Sequence, residues 1–204
     1  MSNQVKAFQV LFFGDFCQIS GCHATHHEAL SVDEVNALLQ HAAVTPTKLK
    51  FTIENPYWDQ LNHSLWLSFC RLLSTHTPNL VSLQFYTYYD DLSDDKMMAF
   101  IEQMPSTLRR LTLSYHKGHL PMTFRQLGMS LSGLETFIWY GYFFTTESVL
   151  GIETAKALGR SLLQLSNLKR VIVDLYDDSE RMRETTKTAL KPAQSHHTNQ
   201  LSLV

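Results

Sequence analysis

Several large classes of protein are excluded by what this chain lacks. No run of residues approaches the roughly 18 consecutive apolar positions that a membrane-crossing helix needs, so neither a transmembrane segment nor a membrane partner is expected. The opening residues, MSNQVKAFQV, lack a basic segment followed by a long apolar one, and no classical secretion signal is read there. Cysteine is scarce: Cys17, Cys22 and Cys70 make an odd count. That count argues against a disulfide framework and for a reducing, cytoplasmic setting. An excess of positive charge is also missing. Lys and Arg number 17 against 19 Asp and Glu, with no Lys/Arg-rich stripe, so nucleic acid is not an expected partner. The eight glycines are scattered without a GxGxxG or a GxxxxGK, which removes the usual phosphate-cradling loops and leaves no cofactor to expect.

What the chain does contain is a repeated phrase. Its 204 residues suit one domain or one repeat array, and 44% hydrophobic residues are ordinary for a folded protein. An apolar residue is followed by another three positions on, and a third two positions later. The clear copies are Leu80-Leu83-Phe85, Leu108-Leu111-Leu113, Leu134-Phe137-Trp139 and Leu168-Val171-Val173. Val5-Phe8-Val10 is a weaker copy, and KLKFTI another, with Phe51 and Ile53 in place but Lys48 in the first position. The first positions 5, 48, 80, 108, 134 and 168 give intervals of 43, 32, 28, 26 and 34, so the first interval reads as holding an insertion. Each copy ends in alternation, the pattern of a short strand with one buried face.

Helical stretches follow the strands. SVDEVNALLQHA opens with Ser31 and has Glu34 three residues on, a capping-box pair, with Val32, Val35, Leu38 and Leu39 on one face. HSLWLSFCRLLS carries Leu65, Phe69, Leu72 and Leu73 at similar spacing. SDDKMMAFIEQM begins with Ser93 as the expected N-cap, and TFRQLGMSLS and ETAKALGRSLLQLS continue the series. ERMRETTKTAL reads as a polar terminal helix, as a solenoid end requires.

Strand, loop and helix at a period near 30, joined by the phrases TPNL, PSTL, LSGL and LSNL, resemble the leucine-rich-repeat family, in its ribonuclease-inhibitor-like class. The resemblance covers roughly residues 4 to 190. It implies an α/β solenoid of about six repeats, a horseshoe arc with a parallel sheet on the concave side and helices on the convex side. The expected organisation is one domain over residues 1–190 and an unstructured tail over 191–204. The family places Asn or Cys eight residues after the first apolar position, where this sequence has Phe13, Pro56, Tyr88, His116, Tyr142 and Tyr176. The loops are therefore expected to be irregular. The structural rival is a doubly wound α/β fold.

Side-chain parity turns the repeat into a surface. If the triplets face the helices, the residues between them face the open side. The candidate protein-binding residues on that side are Gln84, Tyr86, Arg110, Thr112, Ile138, Tyr140, Arg170 and Asp174. Tyr57, Trp58, Tyr89 and Tyr115 join them from the loops NPYWDQ, YTYYDDLSDD and SYHKGH. Aromatic anchors and Arg are the side chains that most often carry interface energy. With Asp59, Asp90, Asp91, Asp177 and Asp178 nearby in sequence, an acidic, aromatic face is expected.

This set holds no paired acids, no Ser/His/Asp group and no metal cluster, so no catalytic residue is assigned. The one segment with ligand-type side chains is CQISGCHATHHE. Cys17, Cys22, His23, His26 and His27 could supply thiolate and imidazole, but the spacing fits neither paired CxxC nor HExxH, and a polar surface insertion is the plainer reading. Cys70 lies on an apolar helix face and reads as a small hydrophobe. The resemblance thus implies a non-catalytic protein-binding module, monomeric alone. Small irregular proteins of this kind look like bacterial effectors delivered into the host cytosol, binding a host protein or an effector enzyme to inhibit or recruit it. Two alternatives stay open: a metal-dependent hydrolase using the Cys/His segment, and the substrate-recognition subunit of a ubiquitin ligase.

Overall fold

The computed structural model describes residues 8–21, 31–41, 45–53, 63–87, 92–115, 120–142, 149–176, 184, 187–188, 190–192 and 201–203. Two strands come first, β1 (Phe8–Phe13) and β2 (Phe16–Gly21), joined by a tight turn. Gly14 occupies that turn at φ 62°, a left-handed conformation open to glycine at no steric cost. Strands and helices then alternate: α1 (Val32–Gln40), β3 (Lys48–Ile53), α2 (His63–His76), β4 (Ser82–Thr87), α3 (Asp94–Glu102), β5 (Arg110–Tyr115), α4 (Pro121–Ser130), β6 (Thr136–Tyr142), α5 (Val149–Gln164) and β7 (Arg170–Tyr176). A short β8 (Leu201–Leu203) closes the series.

The eight strands of the described residues form one sheet in sequence order. β1 and β2 are antiparallel, and every pairing from β2 to β8 is parallel. A doubly wound fold reverses its strand order at a switch point. Here the order never reverses, so each strand–helix unit stacks on the one before it. This is the architecture of a leucine-rich-repeat solenoid, with six repeats, led by β2 to β7, among the described residues.

The register corrects the first two repeats. Cys17, Leu49, Leu83, Leu111, Phe137 and Val171 stand side by side, as do Ile19, Phe51, Phe85, Leu113, Trp139 and Val173. The first of these columns has intervals of 32, 34, 28, 26 and 34 residues. The long first interval therefore disappears. Val5-Phe8-Val10 is not the first repeat, because its strand is the outer arm of a hairpin. The first repeat runs through CQISG, which is β2 rather than a surface insertion. In the second repeat buried Pro46, not Lys48, holds the first position, and Lys48 lies exposed on the other face.

Both inner columns are at most 2% exposed and form one core with the helices. Val35 and Leu39 come from α1; Trp66, Phe69, Cys70 and Leu73 from α2; Met97, Phe100 and Ile101 from α3; Phe124 and Leu127 from α4; Leu158 and Leu162 from α5. Burying one such side chain contributes about 2 kcal/mol. The capping box at Ser31 and Glu34 is made: the Glu34 amide donates to Ser31 Oγ, and the Ser31 amide donates to the Glu34 carboxylate at 2.7 Å. Leu38 departs from the expected apolar face, at 42% exposure. Ser93 is the N-cap of α3, but its side chain makes no cap bond. In the segment expected as a loose tail, Leu201–Leu203 pair with Val171–Val173 as β8. Most of ERMRETTKTAL lies outside the described residues, though Leu190 at its end is in the core.

Neighbouring repeats are tied by polar contacts at the strand entries and at the start of α4. The four shared phrases are turns in which Leu80, Leu108, Leu134 and Leu168 donate to the carbonyls of Thr77, Pro105, Leu131 and Leu165. At each strand entry one carbonyl accepts two amides from the next repeat. Asp15 O takes Thr47 and Lys48, Thr47 O takes Val81 and Ser82, and Val81 O takes Arg109 and Arg110. Arg109 O then takes Glu135 and Thr136, and Glu135 O takes Lys169 and Arg170. On the helix side, the Asp94 carboxylate accepts the amides of Met122 and Thr123 at 2.7 and 2.9 Å, capping α4 from the previous repeat. Gly128 lets α4 approach α5: a Cβ there would meet the Ser161 backbone at 3.1 Å.

Candidate protein-binding surface

The same parity that buries the columns leaves the other sheet face open to solvent. Among the described residues, every helix contributes to the core on the inner side. The outer face carries three rows, each crossing the strands at one register level. The first runs Phe16, Lys48, Ser82, Arg110, Thr136, Arg170; the second Gln18, Lys50, Gln84, Thr112, Ile138, Ile172; the third Ser20, Thr52, Tyr86, Ser114, Tyr140, Asp174.

Eight of the residues expected from the sequence meet here. Gln84, Arg110 and Arg170 are exposed, and Tyr86, Thr112, Ile138, Tyr140 and Asp174 are half-buried. Tyr115 lies in β5, but its side chain is outside the described set, and Tyr57, Trp58 and Tyr89 lie outside the described residues. So do Asp59, Asp90, Asp91, Asp177 and Asp178, and the side chains of Phe13, Tyr88, Tyr142 and Tyr176. Thr52 is the exception to the outward rule, at 2% exposure, flanked in its row by Ser20 and Tyr86. Lys50 Nζ lies 5.4 Å from the centre of the Tyr86 ring, a cation–π distance.

Charge is distributed unevenly over this face. At the end where the strands begin, Lys48, Lys50, Arg110 and Arg170 are joined by Arg109 and Lys169 from the position just before the strands, against Asp15 and Glu135. Lys48 and Lys169 pair with those two carboxylates, and Arg109 donates to the Ser106 and Leu108 carbonyls. That leaves Lys50, Arg110 and Arg170 in excess, so the acidic character expected from the loops does not extend to the sheet's entry end. Asp15 accepts from Thr47 Oγ1 at 2.7 Å and pairs with Lys48 at 3.1 Å; the hydroxyl first and the ammonium second hold its carboxyl below the usual range. Glu135 is lowered mainly by its 2.8 Å contact with Lys169. Arg110 and Arg170 make no ion pair with any described residue. The triplet frame of KLKFTI puts Lys48 inward, whereas the register puts it on the open face. The alternation Lys48-Leu49-Lys50-Phe51 was the signal that could have placed it outside.

The cysteine chemistry is resolved by burial. Cys17 and Cys70 are both fully buried in the core, and desolvation pushes each thiol up to about 12. A thiol held protonated among apolar side chains is a poor ligand and a poor nucleophile. Cys17 therefore leaves the set of candidate metal ligands, while Cys22, His23, His26 and His27 lie outside the described residues. Counted in the corrected repeat frame from Gly14, Cys22 falls at the sequence position where the family places Asn or Cys.

No protein-family model matches the chain, and no curated protein does. Among solved structures it is similar to the leucine-rich repeat-containing protein LegL7 from Legionella pneumophila, at 12% identity and a TM-score of 0.49. The match covers 79% of this chain and 49% of that one, so the chain spans about half the length of that protein. The repeat assignment made above stands on the strand register and the turn hydrogen bonds.

Proposed function

We propose that this chain is a non-catalytic protein-binding module that grips its partner on the open face of the sheet. The observation that carries this reading is the contrast in covering. One face is sealed by helices, while the other displays Gln84, Tyr86, Arg110, Ile138, Tyr140, Arg170 and Asp174 in aligned rows with no described element over them. A mixed aromatic and charged surface of this kind suits protein recognition, in which central Tyr and Arg anchors each account for about 2 kcal/mol or more. No helix among the described residues is long and apolar enough to cross a membrane. In the finer form of the proposal the module is a bacterial effector, monomeric alone, that binds a host protein or another effector enzyme in the cytosol and blocks or recruits it.

The test begins with affinity capture from the native organism and its host, using the full chain as bait. The double variant Tyr86→Ala/Tyr140→Ala is then compared with the parent for the captured protein. The expected result is binding weakened at least about tenfold, with the thermal midpoint moved by no more than about 3 °C. Undiminished binding by the double variant would overturn the assignment of this face.

A further inference from the structure

We propose that the partner presents an acidic α-helix, laid across the strands so that carboxylates one heptad apart meet Lys48, Arg110 and Arg170. This rests on the reading of the open sheet face as the binding surface and names the chemistry that the face selects.

Spacing is the first support. The three cations share one register level and sit on alternate strands, β3, β5 and β7, with Ser82 and Thr136 between them on β4 and β6. Adjacent strands lie about 4.8 Å apart, so these charges recur roughly every 10 Å across the sheet. A helix advances about 10.5 Å in seven residues and returns to nearly the same face. A bound strand would instead offer same-face side chains roughly every 7 Å, out of step with the row. The small side chains of Ser82 and Thr136 leave room for a helix to lie close between the cations.

Charge is the second support. Arg110 and Arg170 make no ion pair with any described residue, though Glu135 feels the charge of Arg110, and Lys48 pairs with the exposed Asp15. The entry end thus carries an excess of cations in a chain whose formal net charge is -2. A long polyanion such as nucleic acid would gain at this row and then run on over a chain that is negative as a whole. A short acidic helix matches the row without that cost. Binding led by such a row is steered electrostatically and weakens with salt.

The probe is a three-heptad alanine-based helical peptide with glutamates one heptad apart, fluorescently labelled and titrated against the full chain by anisotropy. The controls are a peptide of the same composition with glutamates five residues apart, a peptide with lysines at the heptad positions, and single-stranded oligothymidylate. The heptad-glutamate peptide is expected to bind at least about tenfold more tightly than every control and to weaken as salt rises. Arg110→Glu/Arg170→Glu is expected to lose that binding with its thermal midpoint unchanged, while Arg110→Gln/Arg170→Gln loses an intermediate amount. Equal binding of either control peptide, tighter binding of the oligonucleotide, or binding unaffected by the charge reversal would each overturn the acidic helix. The partner captured with the full chain separates the two levels of the argument. Loss on Tyr86→Ala/Tyr140→Ala with retention by Arg110→Glu/Arg170→Glu leaves the face and removes the acidic helix. Retention by both variants removes the face itself.

Discussion

The two faces of this sheet are built from the same strands and obey different rules. On the inner face of β5, Leu111 and Leu113 are fully buried; on the outer face Arg110 is exposed and Thr112 and Ser114 are half-buried. Along the inner columns the residue types vary in size from Cys17 to Trp139, yet every one is sealed. The helices make up the volume. Phe51 packs with tilted rings on Phe69 at 4.9 Å and on Phe85 at 5.4 Å, Phe85 on Phe100 at 4.9 Å, while Trp139 meets Phe124 edge-on at 4.8 Å. Polarity is fixed on the inside, and size is negotiated between strand and helix. On the outside neither is fixed, and Arg, Ser, Thr, Ile and Tyr occupy equivalent positions. The inner face therefore specifies the fold, and the outer face is left free to vary.

The largest test of that division places one charge on each side. Leu111→Asp buries a carboxylate in the core at a cost of several kcal/mol, and far-ultraviolet circular dichroism is expected to show an unfolded or partly unfolded chain. Thr112→Asp, one residue away, is expected to change stability by about 0.5 kcal/mol or less in urea titration. A well-folded Leu111→Asp protein would break the comparison outright. Phe51→Ala removes a ring from the aromatic cluster without adding charge, and a loss of about 3–5 kcal/mol is expected from chemical denaturation. A smaller contrast is chemical. Cys17 and Cys70 should resist thiol-specific reagents at pH 8 in the native protein and react only on unfolding, as raised thiol values of about 12 require. Rapid native labelling of Cys17 would return it to the list of ligand candidates.

The smallest effect lies at the border of the outer face. Asp15 has a lowered carboxyl value in the folded chain, so its stabilising contribution is present above the ordinary carboxylate range and is lost as pH falls through the lowered value. Asp15→Asn is expected to shift the thermal midpoint by about 1 °C or less at neutral pH, since both partners are exposed, and by nothing at all once the carboxylate is protonated. A shift that persists in strong acid would show that Asn disturbs the entry turn for some other reason.

Most of the array was legible because apolar spacing and alternation are local signals. Leu83-Phe85, Leu111-Leu113, Phe137-Trp139 and Val171-Val173 took their places as read, with the turns before them and the capping box at Ser31. The first two repeats were misframed for a physical reason. Pro46 fills a position that elsewhere holds Leu or, in the first repeat, Gly14, and a hairpin arm at Val10 imitates a repeat strand. Leu38 failed because helical spacing alone does not say where an apolar stripe ends. The outer rows followed from parity, but their charge balance did not, since cations distant in sequence come together only through the register. Thr52 shows the remaining limit: its parity is right, and its burial depends on neighbours that no local pattern names.

At the strand entries, the carbonyls of Asp15, Thr47, Val81, Arg109 and Glu135 each accept two amides from the following repeat, at 2.7 to 3.1 Å. A length of chain running from one such carbonyl to the next, for instance from Val81 to Arg109, begins and ends at the same kind of backbone seam. Deleting or duplicating the stretch between two such carbonyls would keep that pair of bonds, but the packing that crosses from one repeat to the next, as between Phe51 and Phe85, would have to be remade. The backbone seam is thus uniform along the array, while the side-chain core behind it is particular to each repeat.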